Sequence, residues 1–227
     1  MQPYALLWSG GKDSALALTR ARRSGLDVRR LLNFHDSASG RVRFHATRVE
    51  LLAAQAAAVG VELSAIGTSW TQMEGRLRQE LAALTAAGFA GVVLGDIHLA
   101  DVRAWYEERV RAAGLEHVEP LWGDPPERLL DEFVAGGGRA VVTCVELSQL
   151  DEAWLGRVVD PDFARDIRRL PVDPCGENGE YHSFAFAGPA FRWPVRWRPG
   201  ERRADGRFAQ LDLVLDYNVA HGESGCS

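Results

Sequence analysis

Three short stretches of this chain collect residue types that can do chemistry together. The first is Ser9-Gly10-Gly11-Lys12-Asp13-Ser14, two hydroxyls, an ammonium and a carboxylate around a pair of glycines. Paired glycines allow a tight turn and bring backbone N–H groups close to an anion. The chemistry indicated is phosphate holding, with Ser9 and Ser14 as donors and Lys12 as a compact cation. Asp13 supplies a carboxylate beside a metal or at a helix start. The second stretch is Gly95-Asp96-Ile97, followed by Arg103, Trp105 and Glu107. A carboxylate leaving a strand faces a ligand crevice or serves as an ordinary turn residue. Arg103 and Glu107, four apart, also suit a plain surface ion pair. The third, Asp173 to Ser183, is densest and holds Cys175, Glu177, Asn178, Glu180, Tyr181 and His182. Glu177 and Glu180 suit binding Mg²⁺, receiving an amine or deprotonating a nucleophile. Cys175 and His182 lack an identifiable third group for thiol catalysis, so a structural thiol is the plainer reading. Neither cysteine nor histidine recurs at zinc-ligand spacing.

Apolar runs and helical periodicities predict how these stretches are positioned. Tyr4–Trp8 reads as a strand, and a helix runs from Lys12 to about Arg23, so the glycine turn lies between them. Strands are expected at Val28–Phe34, Glu62–Ile66 and Ala90–Gly95. Helices are expected over Phe44–Val59, Thr71–Ala87 and Asp101–Ala113, with Gly88 and Gly114 as stops. This alternation predicts a parallel sheet with helices on both faces. Its strands' carboxyl ends are where ligands gather. Beyond Pro120 the pattern changes. A helix opened by Pro125-Pro126 runs to about Ala135, a strand covers Ala140–Leu147, and Leu150–Leu170 is helical in parts. Further strands fall near Ser183–Ala187 and Leu211–Tyr217, and the polar tail His221–Ser227 is expected to fray. A soft boundary near 120 divides residues 1–120 from a second part, 121–227, docked on the first.

Composition removes several function classes. The 227 residues are 46% hydrophobic and 25% charged, which excludes a disordered or fibrous chain. Twenty-six Lys+Arg against thirty-one Asp+Glu give a net charge of −5, with no footprint for general nucleic-acid binding. No apolar run approaches the ~20 residues of a membrane span, and the N-terminus lacks a basic segment ahead of an apolar one. Three widely spaced cysteines argue for reduced thiols and a cytoplasmic location. Lys12 is the single lysine beside twenty-five arginines. A lysine that survives such a bias suits a place where guanidinium geometry does not serve.

The glycine stretch does not fit a Walker A loop or a dinucleotide fingerprint. SGGKDS after a first strand resembles the PP-loop of the ATP pyrophosphatases. Taken in order, SGGKDSALAL, FHATRVELLAAQAAAVGVEL, GDIHLADVRAWYEERVRAAGLEHVEPLW, AVVTCVEL and DPCGENGEYHSFAFAGPAF resemble the diphthine–ammonia ligase family of that superfamily. Asn178 stands where that family usually has glycine, and Ser183 where it often has threonine. The resemblance implies an α/β, Rossmann-like PP-loop domain of the adenine nucleotide alpha hydrolase type, with a smaller C-terminal α+β part on the substrate side. It implies ATP and Mg²⁺ as cofactors and ammonia as the nucleophile. ATP adenylates an acceptor carboxylate with release of pyrophosphate, and ammonia then displaces AMP. Carried over, Ser9, Gly10, Gly11, Lys12, Asp13 and Ser14 hold the phosphates, Asp13 also the metal. Lys12, Asp13, Asp96, Glu177 and Glu180 are catalytic, while Gly95, Arg103, Asn178, Tyr181 and His182 contact the acceptor or ammonia. The family's best-known acceptor is diphthine, a modified histidine on elongation factor 2; an unknown small molecule is the other expectation. Two further readings stay open: a PP-loop enzyme acting on another acceptor such as an RNA base, and an ATP- or AMP-binding sensor without turnover. The aromatic run Phe191–Trp197 serves equally as a homodimer interface or a folded edge.

Overall fold

A computed structural model describes residues 2–43 and 45–217. The apolar strand β1 (Tyr4–Leu7) leads through the glycine turn into α1 (Lys12–Arg23). There follow β2 (Val28–Asp36), the short β3 (Arg41–Val42), α2 (Val49–Val59), β4 (Glu62–Thr68) and α3 (Met73–Ala86). β5 (Gly91–Val93), α4 (Ala100–Ala112) and β6 (Glu116–Val118) complete the first sheet. β1 pairs in parallel with β2 and β5, β4 joins β2, and β6 joins β5, also in parallel. Only β3 runs antiparallel, against the end of β2. The parallel order β4-β2-β1-β5-β6 means that the chain winds outward from β1 and then returns to the other side. Connections therefore diverge between β1 and β5, which opens a crevice at their carboxyl ends. The glycine turn and Gly95-Asp96 both emerge there.

Helices cover both faces because their apolar stripes require it. Leu16 and Leu18 of α1 and Leu51 and Leu52 of α2 join one core, while Leu77, Leu81 and Leu84 of α3 and Val110 of α4 join another. The second sheet is antiparallel and packs into the first of these cores. It is built from β7 (Arg139–Glu146), β8 (Val158–Val159), β9 (Tyr181–Ala187), β10 (Trp197–Ala204) and β11 (Phe208–Leu215), with α5 (Pro126–Ala135) and α6 (Pro161–Ile167) alongside. Val141, Phe184 and Leu211 of this sheet share the core with α1 and α2. The two sheets are also joined by charge. Asp212 on β11 accepts from Arg41 Nη1 at 2.6 Å and from Arg48 Nη2 at 2.5 Å. Burial opposes that carboxylate's charge, but the hydrogen bonds from Arg48 and Arg41 hold it well below the usual range.

Several predicted boundaries move. The helix expected over Phe44–Val59 begins at Val49. Arg41 bridges Arg48, and the intervening turn carries Ala46 at φ 57, so these residues are spent on a loop despite their helical composition; Phe44 lies outside the described residues. In Leu150–Leu170 a 3₁₀ turn (Glu152–Trp154) and β8 precede α6, which starts where the Asp160 carboxylate accepts from Phe163 N at 2.8 Å. The last strand is Phe208–Leu215. β3, β6, β8 and β10 carry no apolar run of strand type, being very short or rich in Arg, Pro and Gly at an edge. The tail from His221 lies outside the described residues. Among the described residues no helix is long and apolar enough to cross a membrane.

Candidate active site

A cavity of about 340 Å³ opens at the divergence of β1 and β5. Ser9, Lys12, Asp13 and Ser14 line it from the glycine turn, Gly95 and Asp96 from the end of β5, and Glu177, Tyr181 and His182 from the third stretch. The turn is shaped by its glycines. Gly10 has φ +82, and a Cβ there would come within 2.6 Å of Leu52 and 2.7 Å of Gln55. Gln55, wholly buried on α2, accepts from Trp8 Nε1 at 2.8 Å and donates to the Gly10 carbonyl at 2.9 Å. Gly95 must also stay small, since a Cβ would press to 3.3 Å from the Asp13–Ser14 backbone.

Lys12, with its side chain 3% exposed, donates to both Asp13 carboxylate oxygens at 2.9 Å and to the Cys175 carbonyl. Its ammonium also lies 5.0 Å from the centroid of the Tyr181 ring. Burial works against the charge, but the Asp13 carboxylate foremost outweighs it and holds the lysine protonated well above its usual range. Two further carboxyls, Asp96 and Glu177, line the same cavity. Burial, reinforced by Glu119, pushes Asp96 up to about 6. Burial, reinforced by Asp13 and Asp96, pushes Glu177 up to about 7, although Ile97 N donates to Glu177 Oε1 at 2.9 Å. Groups raised in this way keep a proton available for exchange near neutral pH.

The structure separates the remaining candidates. Glu180 is 2% exposed and turned inward, accepting from Asp173 N at 2.9 Å, Asn178 N at 3.0 Å and Asn178 Nδ2 at 3.2 Å. Glu180 and Asn178 therefore fold the third stretch and do not line the cavity. Arg103 does not line it either; its Nε lies 3.1 Å from Glu119, and its guanidinium stacks 4.4 Å from the Trp122 ring centroid. Burial raises the Cys175 thiol well above its usual range, and its Sγ donates to the Pro126 carbonyl at 3.2 Å. Cys175 borders the cavity, but this thiol is held protonated and turned to a backbone carbonyl. The sequence reading missed His45, on the β3–α2 loop, which lines the cavity with Nδ1 3.1 Å from the Ser183 carbonyl and its ring centroid 4.7 Å from that of His182. Burial lowers both imidazoles below their usual value. It also missed His98, whose Nε2 lies 2.7 Å from Asp173 Oδ2. Both stand in stretches that carry the family resemblance, but their partners are distant in sequence, so spacing alone gave no signal for them.

Among the described residues no cluster of three or more His, Cys, Asp or Glu side chains could hold a metal by itself. Mg²⁺ fits this donor set in another way, shared between one or two carboxylates and the phosphates of a nucleotide. Asp13, which lines the cavity beside the turn, would be the carboxylate to take part.

A strand, a glycine turn and a helix start at the divergence point, with a buried lysine and facing carboxyls, define a nucleotide-binding α/β protein of PP-loop type. Comparison with known proteins narrows the class. The family model described as diphthamide synthase N-terminal domain matches residues 2–117, and that described as diphthamide synthase C-terminal domain matches residues 125–212. The chain belongs to this family, that of the diphthine–ammonia ligases, and is a ligase enzyme. It is 27% identical over 216 residues to the diphthine–ammonia ligase of Mus musculus, covering 83% of this chain and 80% of the relative.

Proposed function

We infer that the chain uses ATP to adenylate an acceptor carboxylate and then converts the acyl adenylate to an amide with ammonia. The observation that carries this reading is the meeting of the glycine turn with Asp96 and Glu177 across one cavity. A carboxylate is a poor electrophile, and joining it to AMP supplies a good leaving group. In the first step an acceptor oxygen attacks the α-phosphorus and pyrophosphate leaves. The turn amides, Ser9, Ser14 and Lys12 hold the polyphosphate, and Lys12 offsets negative charge on the departing pyrophosphate. Mg²⁺, when bound beside Asp13, neutralises phosphate charge. In the second step the ammonia nitrogen attacks the acyl carbon, AMP leaves and a proton is shed. Glu177, ionised above about 7, accepts that proton. Asp96 shares its electrostatic load. Tyr181 and His182 form the wall beside the acceptor. The murine relative's name makes diphthine the first acceptor to assay.

ATP labelled at the α-phosphate, supplied with Mg²⁺, ammonium and carboxylate acceptors, tests the reading. AMP and pyrophosphate are expected, and are lost in Lys12→Ala. ADP and phosphate would overturn it.

A further inference from the structure

We propose that Ser183, on β9 of the second sheet, is a phosphate-binding residue of the nucleotide site, its hydroxyl donating to the anion held at the start of α1. The proposal rests on the ATP reading above and adds to it a ligand from outside the glycine turn.

The start of a helix presents backbone N–H groups that need partners. The residue capping α1 is Gly11, which has no side chain to meet them. Ser183, 171 positions away in sequence, fills that role: Lys12 N donates to its Oγ at 3.2 Å. Accepting this bond uses one lone pair of the hydroxyl and leaves its own proton as a donor. Ser183 is 3% exposed and lines the cavity beside Lys12. Its position is fixed on several sides. It pairs with Val142 in the β7–β9 ladder, and its carbonyl lies 3.1 Å from His45 Nδ1. Two residues on, Ala185 N donates to the Gly10 carbonyl at 2.8 Å. The fit to the turn is close, since a Cβ on Gly11 would lie 3.2 Å from the Ser183 carbonyl oxygen.

A hydroxyl locked in this way is a preorganised donor, which costs no reorganisation when an anion arrives. The Lys12 N bond at 3.2 Å is at the long end of the normal range. A phosphate oxygen accepting from both Lys12 N–H and Ser183 O–H replaces one long neutral bond with two charge-assisted ones. The nucleotide site then spans both sheets.

Calorimetric titration of the whole chain with ATP and, separately, with adenosine tests this. Ser183→Ala is expected to weaken ATP binding by about ten- to a hundredfold, the effect of one hydrogen bond to a charged group. Adenosine, which lacks phosphate, should bind within about twofold of its affinity for the unaltered chain, and Ser183→Thr should restore ATP affinity to a similar margin. Unchanged ATP affinity in Ser183→Ala overturns the proposal while leaving the ATP reading intact. So does equal weakening of ATP and adenosine, which marks a packing role. If the unaltered chain binds no ATP, both fall. Should the alanine variant not fold, Ser183→Cys, nearly isosteric but a weak donor, carries the same expectations.

Discussion

The glycine turn and the Asp173–Ser183 segment hold similar inventories, two glycines each among carboxyl and hydroxyl groups, yet they divide their labour differently. In the turn, the role proposed for each residue follows from its place between β1 and α1. In the segment, roles part within three positions. Glu177 is pushed up to about 7 by burial beside other carboxylates. Glu180 is more deeply buried, but three N–H donors from Asp173 and Asn178 surround it. A buried carboxylate opposite like charges is poised to exchange protons, whereas one ringed by donors is a brace. The same side chain serves chemistry or architecture according to what it meets.

Exchanging each glutamate for glutamine sharpens this contrast most. Glu177→Gln is expected to lower amide formation by about 10²–10³-fold, the usual cost of removing a general base, with folding intact by circular dichroism. Glu180→Gln places an NH₂ against N–H donors and should cost about 1–3 kcal/mol in denaturant unfolding, with a smaller loss of turnover. Equal losses of turnover and stability in both variants would erase the distinction.

The pH dependence of the same residue gives the next effect. Amide formation should rise with pH through about 7 as Glu177 ionises, and Glu177→Gln should flatten that limb. Stability runs the opposite way. Between the usual carboxylate range and about 7 the folded chain binds the Glu177 proton that the unfolded chain has already released, so this group's contribution falls as pH rises across that window. Glu177→Gln should therefore gain stability relative to the parent on going from pH 5 to pH 8, on the order of 1 kcal/mol. A gap that stays constant with pH would place the Glu177 titration elsewhere.

The fold around the turn was legible because strand, glycine pair and helix are contiguous, and their apolar spacing is local. Asp96 was legible for the same reason, standing where an apolar run ends. Gln55, His45 and Ser183 were not recognised as parts of the turn's surroundings. Each acts across a gap of 45 residues or more, on the Gly10 carbonyl, the Ser183 carbonyl and Lys12 N respectively. The order of Glu177 and Glu180 in the segment was equally silent, since only the folded path decides which carboxylate meets N–H groups. The late start of α2 at Val49 has the same origin: good helix formers yield when a loop is held by tertiary contacts.

Arg103 offers the smallest expected effect on turnover and completes the contrast from the side of the first sheet. Helical spacing leaves it on α4 with Glu107, but the fold turns its guanidinium to Glu119, whose side chain is 2% exposed, and to the Trp122 ring. Arg103→Ala should leave kcat and KM for ATP within about threefold while destabilising the chain by about 1–3 kcal/mol, because a buried carboxylate loses its guanidinium and keeps only His117 Nε2, 3.3 Å away. Steady-state kinetics beside denaturant unfolding reads both. Glu119 is also the charge that adds to the upward shift of Asp96. A tenfold rise in KM would mean that Arg103 reaches the nucleotide, and that α4 belongs to the binding surface and not only to its support.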